Sequence, residues 1–211
     1  AKPHSFLHVS RAEIDLAPGT DPYADSVYTT AATNLARLET RGVLQRESEA
    51  TYYVYQISRG THQQTGIAVA ASVAAYRDNR IQKHELTRPA KETDRVRQID
   101  AVNAITGPVM LVHRANPKIS ELLAAQTQTD ALLIAEVDGW QHRIWPIKDD
   151  STVAALTNLF NAMPGLYIAD GHHRSAAALR IAEQRGLAAA DAFLAVSFAD
   201  DDVTILDYNR V

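Results

Sequence analysis

The chain of 211 residues contains no cysteine. This absence excludes a disulfide framework, thiolate metal sites, cysteine nucleophiles and thiol redox chemistry, although it leaves the cellular compartment open. No apolar run approaches the roughly 18 residues of a transmembrane helix, and no charged segment followed by an apolar one opens the chain. We therefore expect a globular, cytoplasmic protein without a membrane partner.

Several common catalytic signatures are also missing. There is no Gly-x-Gly for a dinucleotide-binding turn and no Gly-x-Ser-x-Gly nucleophile elbow. Gly60 and Gly66 are wrongly spaced for a P-loop, and Ile67 stands where that loop has lysine. His84-Glu85 lacks the second histidine of a zinc protease helix. The function must therefore depend on less common motifs.

The order of the predicted elements favours an α+β fold with a mixed sheet, hairpins and packed helices. Asp138-Gly139 is a strong hairpin signal. Predicted strands lie within 5–16 and at 51–58, 62–72, 109–113, 132–137, 141–147, 166–169, 193–198 and 203–206. Predicted helices cover 21–41, 73–76, 89–105, 116–126, 149–163 and the segment that ends at about 185. We expect a single domain over 1–211, and a fragment of a longer protein, because the chain has no initiator methionine and stops abruptly.

Charge is unevenly distributed along the chain. The formal net charge of -4 argues against a surface coated for nucleic acid, so we expect no DNA partner. From Arg77 to Arg97, however, there are seven lysine and arginine residues against four acidic ones. This basic segment is a candidate for binding an anionic partner.

The string Asp170-Gly171-His172-His173-Arg174 joins a short apolar strand to a helix. Asp170 can cap the helix, and Gly171 lets a ligand approach the backbone closely. The free amides of the first turn and the helix dipole favour an anion at this end, where a cation costs roughly 0.3–1 kcal/mol. Two histidines and an arginine there are best explained by a phosphate or carboxylate between them.

Two other interpretations of this string stay open. The histidines can be ordinary surface residues while Arg174 pairs with a nearby aspartate. A metal site is a weaker alternative, because adjacent histidines on a helix diverge by about 100°. Zinc would need further ligands that the sequence does not place, so no metal ligand is predicted.

The segment KHELTRPAKETDR supplies a second candidate group. Pro89 opens a helix on which Lys91 and Arg95 lie one turn apart. One interpretation is a solvated helix face whose charges are balanced by acidic neighbours at i,i+3 spacing. The functional interpretation is a cationic wall of Arg88, Lys91 and Arg95 next to a single carboxylate, Glu85. A carboxylate beside a phosphate-binding wall suits a general base for a hydroxyl nucleophile.

Together, KHE, GPVMLV and YIADGHHRSAAAL resemble the ParB/sulfiredoxin-like superfamily. The similarity is strongest to a bacterial and archaeal family of unknown function that carries HExTxPxKExDR and ADGHHR, some of whose members are labelled ParB-like. The archaeal free-serine kinase is a more distant relative. The resemblance is specific over 81–113 and 165–179, and it implies a ParB/sulfiredoxin-like core. The chain departs from the kinase between Arg114 and Met163, and it shows no helix-turn-helix.

The resemblance implies roles for individual residues. In the superfamily the strand–loop–helix motif binds nucleotide phosphates, a role that falls here on Asp170, Gly171, His172, His173 and Arg174. Glu85 matches the glutamate that is the proposed base of the serine kinase. The signature of the uncharacterised family is matched by Arg88, Lys91, Glu92, Asp94 and Arg95.

Three functions are consistent with these motifs. The first is a small-molecule phosphotransferase that uses ATP or ADP, with Mg²⁺, and a hydroxyl acceptor such as free serine. In it Glu85 takes the acceptor proton, while Lys91 and Arg95 stabilise the transferring charge. The alternative is a nucleotide-gated, ParB-like binding module without transfer chemistry. A hydrolase or metal enzyme using His84, His172 and His173 ranks last, because no ligand spacing supports it.

Overall fold

The computed structural model describes residues 2–186 and 190–205, and within them eight strands form one sheet. The sheet order is β3-β7-β4-β8-β2-β1-β6-β5. The strands are β1 (Tyr52–Arg59), β2 (His62–Ser72), β3 (Ile81–Gln82), β4 (Val109–His113), β5 (Leu133–Val137), β6 (Trp140–Ile147), β7 (Leu166–Asp170) and β8 (Ala192–Ala199). The predicted α+β class with a mixed sheet is thereby confirmed.

Both predicted hairpins are present. β1 and β2 pair antiparallel with Arg59 opposite His62, and β5 pairs with β6 in the same way. Asp138 and Gly139 have φ angles of 52° and 77°, the positive values that a two-residue hairpin turn requires. The parallel pairs are β3 with β7 and β4 with β8.

All six predicted helices are present, and two short helical elements precede them. They are α1 (Leu7–Ser10), a 3₁₀ turn (Ala12–Asp15), α2 (Asp25–Thr40), α3 (Val73–Arg77), α4 (Pro89–Val102), α5 (Pro117–Gln126), α6 (Asp150–Ala162) and α7 (His172–Arg185). As expected, Pro89 and Pro117 occupy the first turns of α4 and α5, where a missing N–H costs no hydrogen bond. None of these helices in the described part is both long and apolar enough to cross a membrane.

The helices stack outward from the sheet in a defined order. Ala178 and Ala182 of α7 join the buried cluster of β4, β7 and β8. On its other side, α7 packs against α4 through Ala177 and Ile181. α4 in turn contributes Val102 to a third cluster with α1 and α2. This stacking brings α1, α2, α4 and α7 together at one side of the sheet.

The structure corrects two predicted strands. The opening segment is helical rather than extended, and its buried residue Val9 packs in the cluster of α1 and α2. Residues 203–205 form no strand, and Asp200–Asp202 form a turn. β8 already has β2 and β4 as its two neighbours, so a returning strand has no free edge of β8 to pair with. Residue 206, the last of that predicted strand, lies outside the described residues.

Candidate functional site

A cavity of about 530 Å³ lies where α7 begins, next to α4 and the N-terminal segment. Its lining is mostly polar and carries four positive and four negative side chains. These are Arg11, Lys91, Arg95 and Arg174, and Glu13, Glu85, Asp94 and Asp170. The two sequence segments singled out for chemistry therefore face one space, as their functional interpretation requires.

The start of α7 depends on the conformation of Gly171. β7 ends at Asp170, and Gly171 follows with φ +105° before the helix begins at His172. A Cβ at Gly171 would lie 3.2 Å from the Val109 Cα atom and 3.0 Å from Arg174 Nη2. Glycine is required here because a side chain would be strained at this positive φ angle and would also crowd the neighbouring atoms.

Asp170 does not cap α7, contrary to the prediction from its position. No side chain of the described residues caps this helix, whose N-cap residue is Gly171. The carboxylate of Asp170 instead accepts a hydrogen bond of 2.5 Å from Nη2 of Arg174, one turn further on. The first turn consequently keeps the free amides that favour an anion.

Arg174 lies folded against two glycines. Its Cδ atom would be 3.1 Å from a Cβ at Gly107, and its Nη2 is close to Gly171. Its pairing with Asp170 confirms the simpler interpretation of Arg174 as an ion-pair partner. Its Nε is buried and has no hydrogen-bond partner among the described residues, which leaves an unused donor on a cavity-lining side chain.

The two histidines connect α7 to the segment before α4. His172 is 5% exposed, and its Nε2 accepts a long hydrogen bond of 3.5 Å from the backbone N–H of His84. Nε2 of His173 accepts one of 3.1 Å from the backbone N–H of Arg88. Because a backbone N–H can only donate, both rings carry their proton on Nδ1. The histidines therefore act as neutral acceptors here, and their Nε2 atoms are not the anion donors that were expected.

Glu85 is held beside the start of α7. One of its carboxylate oxygens lies 3.7 Å from Nδ1 of His172, and 63% of its side chain is exposed. The ring of His172 also packs edge-to-face on His84, with 4.4 Å between centroids. Burial, followed by the proximity of His84, lowers the pKa of His172. A neutral imidazole thus lies beside a solvent-accessible carboxylate.

Of the three residues predicted to form a cationic wall at the start of α4, two line the cavity and one does not. Lys91 and Arg95 line the cavity, whereas the side chain of Arg88 does not. Arg95 lies 3.3 Å from the Asp94 carboxylate, while no carboxylate of the described residues lies within 4.0 Å of the Lys91 ammonium. Lys91 is therefore the cavity-lining cation of α4 that has no ion-pair partner in the described part, so its charge is available to a ligand.

Glu92, part of the family signature, has a structural role. Its carboxylate accepts hydrogen bonds of 3.1 Å from Arg180 and 2.7 Å from the hydroxyl of Thr87. The first bond joins α4 to α7, and the second fixes the turn before α4. Glu92 does not line the cavity.

The N-terminal segment forms a wall of the cavity that the motifs did not predict. Tyr28 donates a hydrogen bond of 2.7 Å to Asp94, and Arg11 donates one of 2.7 Å to Glu13. Tyr23 also lines this wall. No local pattern marks these residues, because their place in the site depends on packing between α2 and α4.

No group of three or more histidine, aspartate or glutamate side chains in the described part is arranged to hold a metal ion.

The fold and the cavity together define an α+β protein with a charged cavity at the start of a buried helix. Over residues 1–211 the chain matches the family described as protein of unknown function (DUF1015), and it belongs to that family. No curated protein and no solved structure gives a significant match. The ParB/sulfiredoxin-like core therefore stays a prediction.

Proposed function

We propose that this protein binds a nucleotide and transfers a phosphoryl group to a small hydroxyl compound such as free serine. The observation that carries the proposal is the meeting of Glu85 with the first turn of α7 at one cavity of about 530 Å³. This volume lies within the range of about 300–1,000 Å³ that is usual for small-molecule sites.

Phosphate binding follows from the donors at this end of the cavity. The amides of the first turn of α7 and its dipole attract an anion. Lys91 adds a charge without an ion-pair partner in the described part, and the side chain of Arg174 lines the same cavity. An incoming phosphate can also replace Asp170 as the partner of Arg174, since that carboxylate is largely exposed.

Glu85 suits the role of general base because its carboxylate is exposed, lines the cavity and lies 3.7 Å from Nδ1 of His172. In the proposed reaction the acceptor oxygen bonds to the terminal phosphorus of ATP or ADP as the bond to the bridging oxygen breaks. The acceptor proton moves to Glu85, and the shortened nucleotide leaves with the bridging oxygen. Lys91 and Arg95 offset the charge on the transferring group.

Mg²⁺ fits this proposal as a partner of the nucleotide. It is usually bound through one or two carboxylates together with substrate phosphates and water. Glu85 and Asp170 are exposed carboxylates on the same cavity, so either can contact a phosphate-bound ion.

We extend the proposal to the fold: the chain has a ParB/sulfiredoxin-like core and forms a single domain.

The test is an assay of phosphoryl transfer with the full-length protein. Labelled ATP or ADP, Mg²⁺ and a panel of hydroxy-amino acids are incubated with the wild type, with Glu85→Gln and with Glu121→Gln as a control for an exposed glutamate of α5. We expect a labelled product that is lost only in Glu85→Gln. No product with any acceptor, or equal product from all three proteins, would overturn the proposal.

A second candidate is a nucleotide-gated binding module without transfer chemistry. The observation in its favour is that His172 and His173 hold the segment before α4 through hydrogen bonds that a ligand could rearrange. This second hypothesis predicts that the protein binds nucleotide and that Arg174→Ala abolishes the binding. It also predicts that the oligomeric state changes on binding and that no phosphorylated product forms. Size-exclusion chromatography with light scattering, with and without nucleotide, distinguishes it from the transferase.

A further inference from the structure

We infer that Tyr23 is a stacking surface for the nucleobase, so that the cavity selects a nucleoside polyphosphate over a bare polyphosphate. This inference rests on the proposed function and adds a specificity-determining residue to it. Tyr23 lines the same cavity as the start of α7, and 53% of it is exposed. An exposed aromatic ring beside a phosphate site is a surface on which any base can stack.

The backbone of Tyr23 is fixed although its ring is free. Its N–H donates a hydrogen bond of 2.9 Å to the Asp21 side chain, and its carbonyl accepts one of 2.8 Å from Nη1 of Arg97. Arg97 also pairs with Asp25, and its guanidinium lies 4.2 Å from the centroid of the Tyr28 ring. These contacts hold the segment on α4, so the backbone of Tyr23 is already ordered before a ligand stacks on its ring.

The N-terminal wall is suited to a flat, uncharged group rather than to phosphate. Its lining cation, Arg11, is already paired with Glu13 at 2.7 Å. The apolar residues Pro22 and Val27 line the cavity with Tyr23. The cation without an ion pair, Lys91, lies on α4 instead. This division places phosphates toward α4 and α7 and leaves the ring of Tyr23 for the base.

The experiment compares two triphosphates, of which only one carries a nucleoside. Calorimetry in Mg²⁺ buffer measures the binding of ATP and of inorganic tripolyphosphate to the wild type, Tyr23→Ala and Tyr23→Phe. Tyr167→Ala, which removes an exposed tyrosine of β7 outside the cavity, is the matched control. Thermal unfolding of each variant shows whether the fold is retained.

We expect the wild type, Tyr23→Phe and Tyr167→Ala to bind ATP about tenfold more tightly than tripolyphosphate, since stacking on an aromatic ring supports that ratio. Tyr23→Ala should bind ATP about as weakly as tripolyphosphate, with tripolyphosphate binding unchanged. If the wild type binds both ligands equally, or if Tyr23→Ala keeps the preference for ATP, the inference is wrong and the proposed phosphate site stands. If the wild type binds neither ligand, the proposed function fails, and this inference fails with it.

Discussion

The ring of His173 accepts a hydrogen bond from the backbone N–H of Arg88, with 3.1 Å between the two nitrogens. This bond joins the first turn of α7 to the residue that precedes α4. His172 makes the equivalent contact with His84, four residues earlier. Adjacent histidines at a helix start, where cations are disfavoured, are thus explained by neutral rings that hold a neighbouring segment in place.

Removing the acceptor at position 173 should destabilise the fold. His173→Leu leaves the N–H of Arg88 without its partner, so we expect the free energy of unfolding to fall by about 1 kcal/mol. His173→Gln, which retains an acceptor, should lose less. Urea denaturation followed by circular dichroism measures both variants, with His4→Leu as a control at an exposed histidine. Equal stability of His173→Leu and the wild type would show that the contact has no energetic role.

Stability should depend on pH through the buried histidines. Burial lowers the pKa of both His172 and His113. Each then binds a proton more readily in the unfolded chain, whose histidine pKa is about 6.5. The free energy of unfolding should therefore fall as the pH drops below about 6.5, and it should level off below the folded pKa values.

Denaturation curves from about pH 7.5 to pH 5 test this dependence. The groups that influence His172 are His84, Glu85, Asp170 and His173, of which the two carboxylates act to raise its pKa. His172→Gln should reduce the slope below about pH 6.5, and the further change His113→Gln should reduce it again. A slope that is the same in the wild type and the double variant would contradict the assignment.

Alanine substitutions at two glycines distinguish the energetic cost of backbone strain from the cost of steric crowding. Gly19 and Gly171 both have positive φ angles, but only Gly171 has atoms close to where a Cβ would be. Gly19→Ala should lower the free energy of unfolding by about 1 kcal/mol, the cost of that backbone conformation alone. Gly171→Ala should cost more, because the Cβ meets the Val109 backbone. Urea denaturation measures both variants. Equal losses of unfolding free energy would mean that the Val109 backbone moves away from the new Cβ at no energetic cost.

Nucleotide affinity should depend on Lys91 in a salt-sensitive way. Lys91→Ala removes a charge that contacts phosphate in the proposed complex, so we expect affinity to fall about tenfold, the value of one charge-assisted hydrogen bond. Lys118→Ala, at an exposed position of α5, is the control. Raising the salt concentration should narrow the difference between Lys91→Ala and the wild type. Unchanged affinity at low salt would remove Lys91 from the site.

Much of the fold was predictable because local signals specify it. Pro89 occupies a first-turn position, Asp138-Gly139 makes a two-residue turn, and each needs only its own neighbours to act. The strand predicted at 203–206 was wrong over its described residues. A strand forms only where it can pair with a free sheet edge, and β8 has none.

The candidate site was predictable to a similar extent. Glu85 and Arg174 belong to motifs with recognisable chemistry, and the structure brings both to one cavity. The contribution of Tyr28 depends on a hydrogen bond to Asp94, 66 residues later in the chain. The capping role expected of Asp170 was wrong because Arg174, one turn away, offers its carboxylate a charged partner.

The central claim is that α4 and the start of α7 bind one polyphosphate together, with Glu85 beside its terminal phosphate. A crystal structure with Mg²⁺ and a non-hydrolysable ATP analogue tests it most directly. We expect phosphate oxygens within hydrogen-bonding distance of the His172 and His173 amides, with the terminal phosphate on the side of Glu85. A nucleotide bound elsewhere, or an empty cavity at saturating analogue, would contradict the claim.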